Sequence, residues 1–448
     1  MTTITPHFRM RAFALAAAFV LTACSALTDV DAPDVMQPGS LHNPSGALVE
    51  RAGAIATFAN GFAEQAFFTG LFADELTDRN GGNFTADRRH ATALQDGGYP
   101  FLGLSKARVN ALIAIGDLQR YNPTPAWRIG ELFAYVGYVE VLFGENLCSG
   151  VPVGVVSNGT PLAGPTLTRS ALLQLALAHF DSAEAYAAGA DSIAYVVRIG
   201  RARALLDSGD VAAAAAATAG VPASYRFAIP YGASALERNA IYEYVSEEKA
   251  ATVADGEGVN GLDFVRARDP RVPTQNLGAG RSGGDVYAFT AYSAPSAPIV
   301  LASGVEAQLI RAEAALAADD PSWLTTLNAL RTDGTFDTQP SDTNPAVTDT
   351  VWHAGSGGVA GLKPLSDPGT AAARVDLLFR ERAFWLFATG HRHGDLRRLV
   401  RQYGRGVERV FPTGPYQGGA LSYGSDVTFV PSHEETNPSY TGCVDRDP

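Results

Sequence analysis

Residues 280–284 carry the patterns of two different active sites. Their order Gly-Arg-Ser-Gly-Gly matches G-x-S-x-G, in which a serine nucleophile is exposed on a sharp turn between a strand and a helix. With Gly278, the glycines also match G-x-G-x-x-G, which holds a dinucleotide pyrophosphate. Both sites need a hydrophobic strand before the glycines and a helix after them, and neither 273–276 nor 286–289 has that character. We therefore predict no catalytic residue and no cofactor.

Two histidines and a small acidic group are the candidate metal ligands. His391 and His393 are two positions apart, a spacing at which side chains on a helix do not face each other. The chain offers no second ligand pair with zinc-like spacing. Asp255, Glu257 and Asn260 do not match the calcium loop of an EF-hand. The sequence thus predicts no metal site, and it predicts that His391 is a turn residue.

The charge of the chain argues against a nucleic-acid partner. The formal net charge is -12, whereas a nucleic-acid-binding surface must neutralise phosphates. The segment 374–409 is an exception, with nine arginines and four acidic residues. A nucleic-acid patch would also need interleaved aromatic residues and a basic domain. We interpret this segment as a solvated or salt-bridged pair of helices.

The amino-terminal segment is typical of an exported protein. A cationic start and an apolar run over 12–20, shorter than the about 20 residues that cross a bilayer, predict a signal peptide over 1–23. The ending Leu-Thr-Ala-Cys resembles a bacterial lipobox, in which the cysteine, here Cys24, is lipidated. The alternative is an ordinary signal peptide with a chance cysteine. Residues 24–40 would form a tether, and Ser25 resembles the residue found in lipoproteins of the outer membrane.

The other two cysteines form an even pair. If Cys24 carries lipid, Cys148 and Cys443 remain in an oxidising compartment. We favour a disulfide between them over two buried free thiols. The bond would tie the carboxyl-terminal tail to the segment that follows Phe143.

Helices separated by irregular segments make up most of the pattern. Apolar residues recur at steps of three and four after the start signal at 43–45. The predicted helices are 47–76, 100–118, 126–143, 167–188, 192–219 with a turn at 207–210, 299–317, 323–331 and 371–402. Segments 241–298 and 332–368 have no sustained helical period. We predict one all-α domain over 41–448, a tetratricopeptide-like superhelix of helical hairpins with large loop-rich insertions.

The carboxyl-terminal helices carry a recognisable motif. Glu381-Arg382, Gly390-His391-Arg392 and Asp395-Leu396-Arg397-Arg398 resemble the ER…GHR…DLRR pattern of the SusD/RagB family. Four further segments resemble the family in the same order along the chain: 269–271, 308–314, 327–331 and 430–438. Trp385 and Thr389 depart from the family pattern, which has acidic residues there. We expect the motif to have a structural role, with its arginines paired to Glu381 and Asp395 and with Gly390 ending a helix.

The resemblance implies a function without covalent chemistry. Proteins of this family are outer-membrane lipoproteins, most of which bind glycans. The implied partners are an oligosaccharide or similar nutrient and a SusC-like TonB-dependent transporter, with the membrane contacted through the lipid anchor only. The alternatives are a peptide-binding or scaffolding lipoprotein on the same fold, and a surface glycan hydrolase.

Candidate ligand-binding residues come from the irregular segments. Sugar-binding sites present aromatic faces to pyranose rings and polar groups to the hydroxyls. Aromatic residues outside the periodic helices, with polar neighbours in sequence, fit that description. They are Arg79, Asn83, Phe84, Tyr287, Tyr292, Trp352 and His353. The alternative for each is an anchor that packs its loop onto the helical body.

Overall fold

The computed structural model describes residues 41–90, 98–234, 237–332, 334–340, 348–354, 362–431 and 440–447. Cys24, the predicted signal peptide and the tether lie outside the described residues. Helices dominate, which agrees with the predicted all-α class. They are α1 (Pro44–Phe72), α2 (Gly98–Tyr121), α3 (Trp127–Asn146), α4 (Arg169–Tyr186), α5 (Asp191–Ser208), α6 (Val211–Ala217), α7 (Gly304–Ala317), α8 (Ser322–Thr332), α9 (Ala371–Trp385), α10 (Arg392–Arg401) and α11 (Val407–Val410). No helix in these ranges is long and apolar enough to cross a membrane.

Successive helices pack against each other as hairpins. Helix α1 packs on α2, α3 on α4, α4 on α5, and α7 on α8. The predicted start of the first helix is confirmed, because Asn43 Oδ1 accepts hydrogen bonds from the N–H groups of Ser45 and Gly46 at 3.0 Å. Helices α1 and α2 approach closely, since a Cβ atom on Gly61 would lie 2.9 Å from the carbonyl carbon of Gly103. A capping residue thus sets the start of α1, and the glycines Gly61 and Gly103 allow α1 and α2 to pack closely.

The strands form pairs only, in the parts of the chain that the structure describes. All six pairs are antiparallel: β1 with β7, β2 with β5, β3 with β4, β6 with β10, β8 with β9 and β11 with β12. The strands are β1 (Leu76–Asp78), β2 (Val151–Pro152), β3 (Val155–Ser157), β4 (Thr160–Leu162), β5 (Thr166–Leu167), β6 (Arg226–Ile229), β7 (Ala251–Val253), β8 (Thr274–Ala279), β9 (Asp285–Phe289), β10 (Ile299–Ser303), β11 (Gly334–Pro340) and β12 (Thr348–Ala354).

The predicted helix over 299–317 was wrong in its first turn. Strand β10 (Ile299–Ser303) occupies that part and pairs with β6. Ser303 then caps α7, because its hydroxyl accepts a hydrogen bond from the Glu306 N–H at 3.1 Å. The short apolar run 299–303 has no periodicity that distinguishes a strand from a buried helix. Its pairing with β6 shows that it is a strand.

The helical segment predicted over 371–402 consists of two helices, and the predicted turn at Gly390 lies between them. Helix α9 ends at Trp385 and α10 begins at Arg392. Ala388 and Gly390 both have positive φ, +57° and +76°. Glycine adopts this conformation easily, whereas Ala388 is held there by the hydrogen bond from its N–H to Glu75 Oε1, at 2.9 Å. The break turns the chain so that α10 packs against α1 and α3.

The arginines of the motif are buried and paired. Arg382 donates two hydrogen bonds to Asp395, at 2.8 and 2.9 Å, and Arg398 donates one at 3.0 Å. Arg398 also pairs with Glu313 of α7. Charged hydrogen bonds of this forked kind fix both distance and orientation. The predicted pairing of arginines with Asp395 is therefore confirmed, and it joins α7, α9 and α10.

Two other motif residues have partners that the sequence did not indicate. The predicted pairing of the motif's arginines with Glu381 was wrong, because Glu381 accepts hydrogen bonds from Arg271 and Arg331, each at 2.7 Å. Arg397 has no carboxylate partner among the described residues and donates to the carbonyl oxygen of Gly144 at 3.1 Å. Trp385 donates through Nε1 to Glu381 at 3.2 Å. The motif thus ties α9 to α8 and to the loop that carries Arg271, and it ties α10 to the end of α3.

Cys148 and Cys443 form a disulfide, with their Cα atoms 5.8 Å apart and a sequence separation of 295. The backbone supports the same connection, because Ser149 N–H donates to the Asp445 carbonyl oxygen at 2.8 Å. The tail therefore returns to the end of α3.

Candidate ligand-binding site

Two open clefts meet where the loops gather beside the helical body. Their volumes are about 730 Å³ and about 560 Å³. The larger cleft lies between the end of β1, the loop after β7, the β8–β9 turn and the tail after α11. Its lining includes Thr77, Arg79, Asp255, Glu257, Ser282, Asp285, Tyr287, Pro415, Gln417 and Tyr423. The smaller cleft is lined by Asp255, Val265, Arg266, Arg268, Asp269, Pro270, Val272, Pro273, Thr274 and Tyr287.

Asp78, at the end of β1, organises the first loop of the site. Its carboxylate accepts hydrogen bonds from the N–H groups of Phe84 at 2.8 Å and Gly82 at 3.3 Å, and from Asn80 N–H. An aspartate that binds the backbone a few residues ahead is a common way to close a turn. This turn directs the chain away from β1 just after Arg79.

Arg79 fastens the β8–β9 hairpin to β1. Its Nη1 donates to the Asp78 carbonyl oxygen at 3.0 Å and its Nε to the Asp285 carbonyl oxygen at 3.3 Å. The Ser282 N–H donates back to the Arg79 carbonyl oxygen at 2.9 Å. Gly284 has φ +76°, and a Cβ atom there would lie 3.2 Å from Arg79 Nε. The glycine-rich segment is thus a hairpin turn, and Ser282 lacks the following helix of a nucleophile elbow.

Tyr287 lies at the junction of the two clefts. Along β9, Val286 and Ala288 are buried, whereas Tyr287 between them is half-buried and lines both clefts. Its N–H donates to Thr252 Oγ1 at 2.8 Å, which holds β9 against β7. Asp255 also lines both clefts. A ligand that extends from one cleft into the other would therefore pass over the Tyr287 ring.

The acidic residues of the larger cleft differ in their surroundings. Asp255 pairs with Arg266, whose Nε lies 3.0 Å from Asp255 Oδ2. Glu257 is buried, and burial together with the nearby Asp87 charge raises its pKa well above the usual range. Burial also raises the pKa of Asp87, to about 6. The Glu257 carboxyl group therefore keeps its proton to a higher pH than a solvent-exposed glutamate does.

The candidate metal ligands have other partners. Asn260 donates to the Phe411 carbonyl oxygen at 2.8 Å. His391 Nδ1 lies 2.8 Å from Thr389 Oγ1, and His393 Nδ1 lies 2.8 Å from Asn146 Oδ1. Burial lowers the pKa of both histidines, so both are neutral at neutral pH. Across the described ranges, no group of three or more His, Cys, Asp or Glu side chains is placed to hold a metal ion.

The structure brings together two of the predicted ligand-binding residues, Arg79 and Tyr287. Three others lie elsewhere. Phe84 packs against Phe67, with ring centroids 5.4 Å apart. Asn83 is exposed and donates to the Asn80 carbonyl oxygen at 2.6 Å. Tyr292 is 5% exposed and donates to the Ala388 carbonyl oxygen at 2.9 Å, which makes it an anchor for the break between α9 and α10.

The last two predicted residues lie on a separate hairpin. Trp352 and His353 belong to β12, where their backbone positions are opposite Phe336 and Thr335 of β11.

The carboxyl-terminal tail supplies lining residues that the sequence analysis did not select. Gln417 donates through Nε2 to the Asp78 carbonyl oxygen at 2.8 Å and to Thr77 Oγ1 at 3.2 Å. Tyr416 beside it bonds to Asp87. The segment 415–423 is turn-rich and contains two tyrosines, and that was the one available signal. This segment places the Gln417 amide and the Tyr423 phenol opposite the β8–β9 turn.

Comparisons with solved structures identify the fold. No family model matches the sequence, and no curated protein matches it. A SusD superfamily protein from Bacteroides fragilis is similar with a TM-score of 0.61 at 12% identity, over 89% of this chain and 99% of that one. One from Bacteroides thetaiotaomicron has a TM-score of 0.59 at 13% identity, over 90% and 98%. A chitin-binding SusD homologue from Flavobacterium johnsoniae has 0.58 at 13%, over 87% and 94%. The chain has the SusD fold.

Proposed function

We propose that this chain is a binding protein of the outer membrane that captures an oligosaccharide or similar nutrient and delivers it to a SusC-like TonB-dependent transporter. The ligand would lie across the two clefts, while a helical face docks on the transporter. Cys24 would carry the lipid anchor and hold the protein at the cell surface. No covalent step is needed, because concentrating the ligand at the transporter is sufficient.

The observation that carries the proposal is the position of Tyr287. A half-buried aromatic ring at the junction of two clefts offers an apolar face to a pyranose ring while losing little conformational entropy. Arg79, Glu257 and Gln417 line the larger cleft with polar groups that can bind hydroxyls. The shared fold with a chitin-binding homologue supports a carbohydrate as the ligand class.

A glycan panel tests the binding function. The protein from residue 25 onward is titrated with soluble oligosaccharides, chitin fragments included, by isothermal titration calorimetry. We expect one class to bind, and Tyr287→Ala to weaken it by about tenfold, since a good aromatic contact contributes about 1 kcal/mol or more. Tyr121→Ala is the matched control, because Tyr121 is a half-buried tyrosine outside the clefts. Binding to a peptide library instead, or turnover of a labelled glycan, would overturn the proposal.

The anchor and the partner need a separate experiment. The full chain is expressed in its native host with a clickable fatty acid, and outer membranes are solubilised and affinity-purified. We expect label on the wild-type protein, none on Cys24→Ala, and a TonB-dependent transporter in the purified wild-type complex. Label that persists in Cys24→Ala would refute the lipidation site.

A further inference from the structure

Several arginines of the arginine-rich segment 374–409 line one pocket. Some of these arginines are used inside the protein, as in the pairs of Arg382 and Arg398 with Asp395. Arg380, Arg405 and Arg409 instead point to one pocket. The volume of this pocket, which we call the arginine pocket, is about 290 Å³.

The arginine pocket combines an apolar floor with a cationic wall. Phe379, Leu396, Leu399 and Val410 line it, and all four are buried. The same lining holds four guanidinium groups, those of Arg380, Arg392, Arg405 and Arg409, against one carboxylate, that of Asp376. None of these residues lines either of the two clefts, so the pocket is separate from the proposed nutrient site.

The four guanidinium groups differ in how fully they are paired. Arg392 is committed to Asp74, with bonds of 2.6 and 2.9 Å. Arg380 makes one bond of 2.9 Å to Asp263, and both side chains are about 40% exposed, at 41% and 42%.

The other two arginines have donors left over. Arg405 Nη2 donates at 2.7 Å to Asp376 and at 2.7 Å to the Ala372 carbonyl oxygen, and its buried Nε–H has no acceptor among the described residues. The exposed guanidinium of Arg409 makes no hydrogen bond or ion pair with any residue in the described ranges. Unused guanidinium donors at the mouth of an apolar pocket select for an anion, because their planar forks match carboxylate and phosphate oxygens.

We propose that the arginine pocket binds a small organic anion, namely a carboxylate or phosphate group attached to an apolar ring or short chain. The anionic group lies between Arg405 and Arg409, and the apolar part covers Phe379 and Leu399. The exposed Asp376 competes with the ligand for Arg405, so the anionic group of the ligand must replace the Asp376 carboxylate. This exchange limits affinity and makes it sensitive to salt.

Three probes of matched shape test this inference. Benzoate, phenyl phosphate and the neutral benzyl alcohol are titrated into the protein from residue 25 onward by calorimetry at low and high salt. We expect one or both anions to bind at least tenfold more tightly than the alcohol, with weaker binding at high salt. The relative affinity of benzoate and phenyl phosphate tells which anionic group the pocket prefers.

Two variants locate the site. Arg405→Gln and Arg409→Gln are each expected to weaken anion binding by about tenfold, the effect of losing one hydrogen bond to a charged group. Arg120→Gln, at an exposed arginine on α2 outside the pocket, is expected to leave it unchanged. Because Arg409 is exposed and unpaired, its variant folds even if Arg405→Gln does not, which circular dichroism checks. Equal binding of benzyl alcohol, no binding of either anion, or unchanged binding by Arg409→Gln would overturn the inference.

Discussion

Arg392 and Asp74 form a buried two-point ion pair between residues 318 positions apart in sequence. Nε and Nη2 of Arg392 donate to Oδ1 and Oδ2 of Asp74 at 2.6 and 2.9 Å, and Asp74 Oδ2 also accepts the Leu262 N–H at 3.0 Å. Asp74 lies between α1 and β1, and β1 leads directly to Arg79 at the larger cleft. Arg392 of the carboxyl-terminal motif therefore helps to fix the position of β1, whose residue Thr77 lines the larger cleft.

Breaking this pair is expected to be costly. Asp74→Asn leaves the Arg392 guanidinium buried without its carboxylate, and such a loss destabilises a protein by about 3–5 kcal/mol. Urea denaturation followed by circular dichroism measures the change in the free energy of unfolding. The control is Asp367→Asn, which breaks the exposed pair with Arg374 and should change stability little. Equal effects of the two variants would contradict the supporting role of the buried pair.

Glu75 makes stability depend on pH. Burial raises its pKa from 4.5 to about 8, with Asp74 and Asp395 adding to the shift and the Ala388 N–H and Arg392 opposing it. The folded protein therefore holds the proton more tightly than the unfolded chain does. This contribution to stability is complete below about pH 4.5 and is lost as the pH rises through about 8.

Glu75→Gln separates this effect from other titrations. The glutamine keeps an acceptor for the Ala388 N–H and cannot ionise. We expect the wild type to lose up to about 1.4 kcal/mol per pH unit relative to the variant across this window. Urea denaturation at about pH 5 and about pH 8 measures the difference. Parallel pH profiles for the two proteins would show that Glu75 stays ionised.

The β8–β9 turn should respond differently to two neighbouring substitutions. Gly283 and Gly284 have φ of +86° and +76°, so alanine at either costs about 1–2 kcal/mol of backbone strain. Only at Gly284 would the new Cβ atom also displace Arg79. Hydrogen exchange of the peptide 274–289 should therefore increase more in Gly284→Ala than in Gly283→Ala. Equal exchange in the two variants would mean that Arg79 does not hold the hairpin.

The disulfide is expected to stabilise the folded chain. A double variant with Cys148→Ser and Cys443→Ser should lose about 2–5 kcal/mol of unfolding free energy, the usual effect of removing a native disulfide. Thermal unfolding with and without dithiothreitol checks the origin of the loss. The reductant should lower the melting temperature of the wild type and leave the variant unchanged. A wild type that is insensitive to reductant, with thiols open to alkylation, would contradict the bond.

Local signals in the sequence predicted the helical body well. The start of α1 was predictable because Asn43 and Pro44 act within one turn of the helix. The end of α5 was predictable because Gly209 adopts the left-handed conformation that closes a helix, with φ +90°. Each of these signals involves residues that are neighbours in the chain.

The candidate site was only partly predictable, because its residues meet through contacts between distant segments. Arg79 and Tyr287 were selected for their residue types and irregular surroundings, and they line the larger cleft. Tyr292 was selected by the same criterion, yet it packs under the break between α9 and α10. Composition cannot distinguish a tyrosine that faces a cleft from one that fills a gap in the core.

The sequence by itself determined the helical class, most helix positions and the recognisable motif of α9 and α10, because capping and periodic burial act over a few residues. Tertiary structure alone decided that β10 is a strand, that Glu381 pairs with Arg271 and Arg331, and that Gln417 faces the β8–β9 turn. Those outcomes depend on which groups, far apart in sequence, are buried against each other in the folded protein. Burial and charge pairing act through space, so the order of residues does not reveal them.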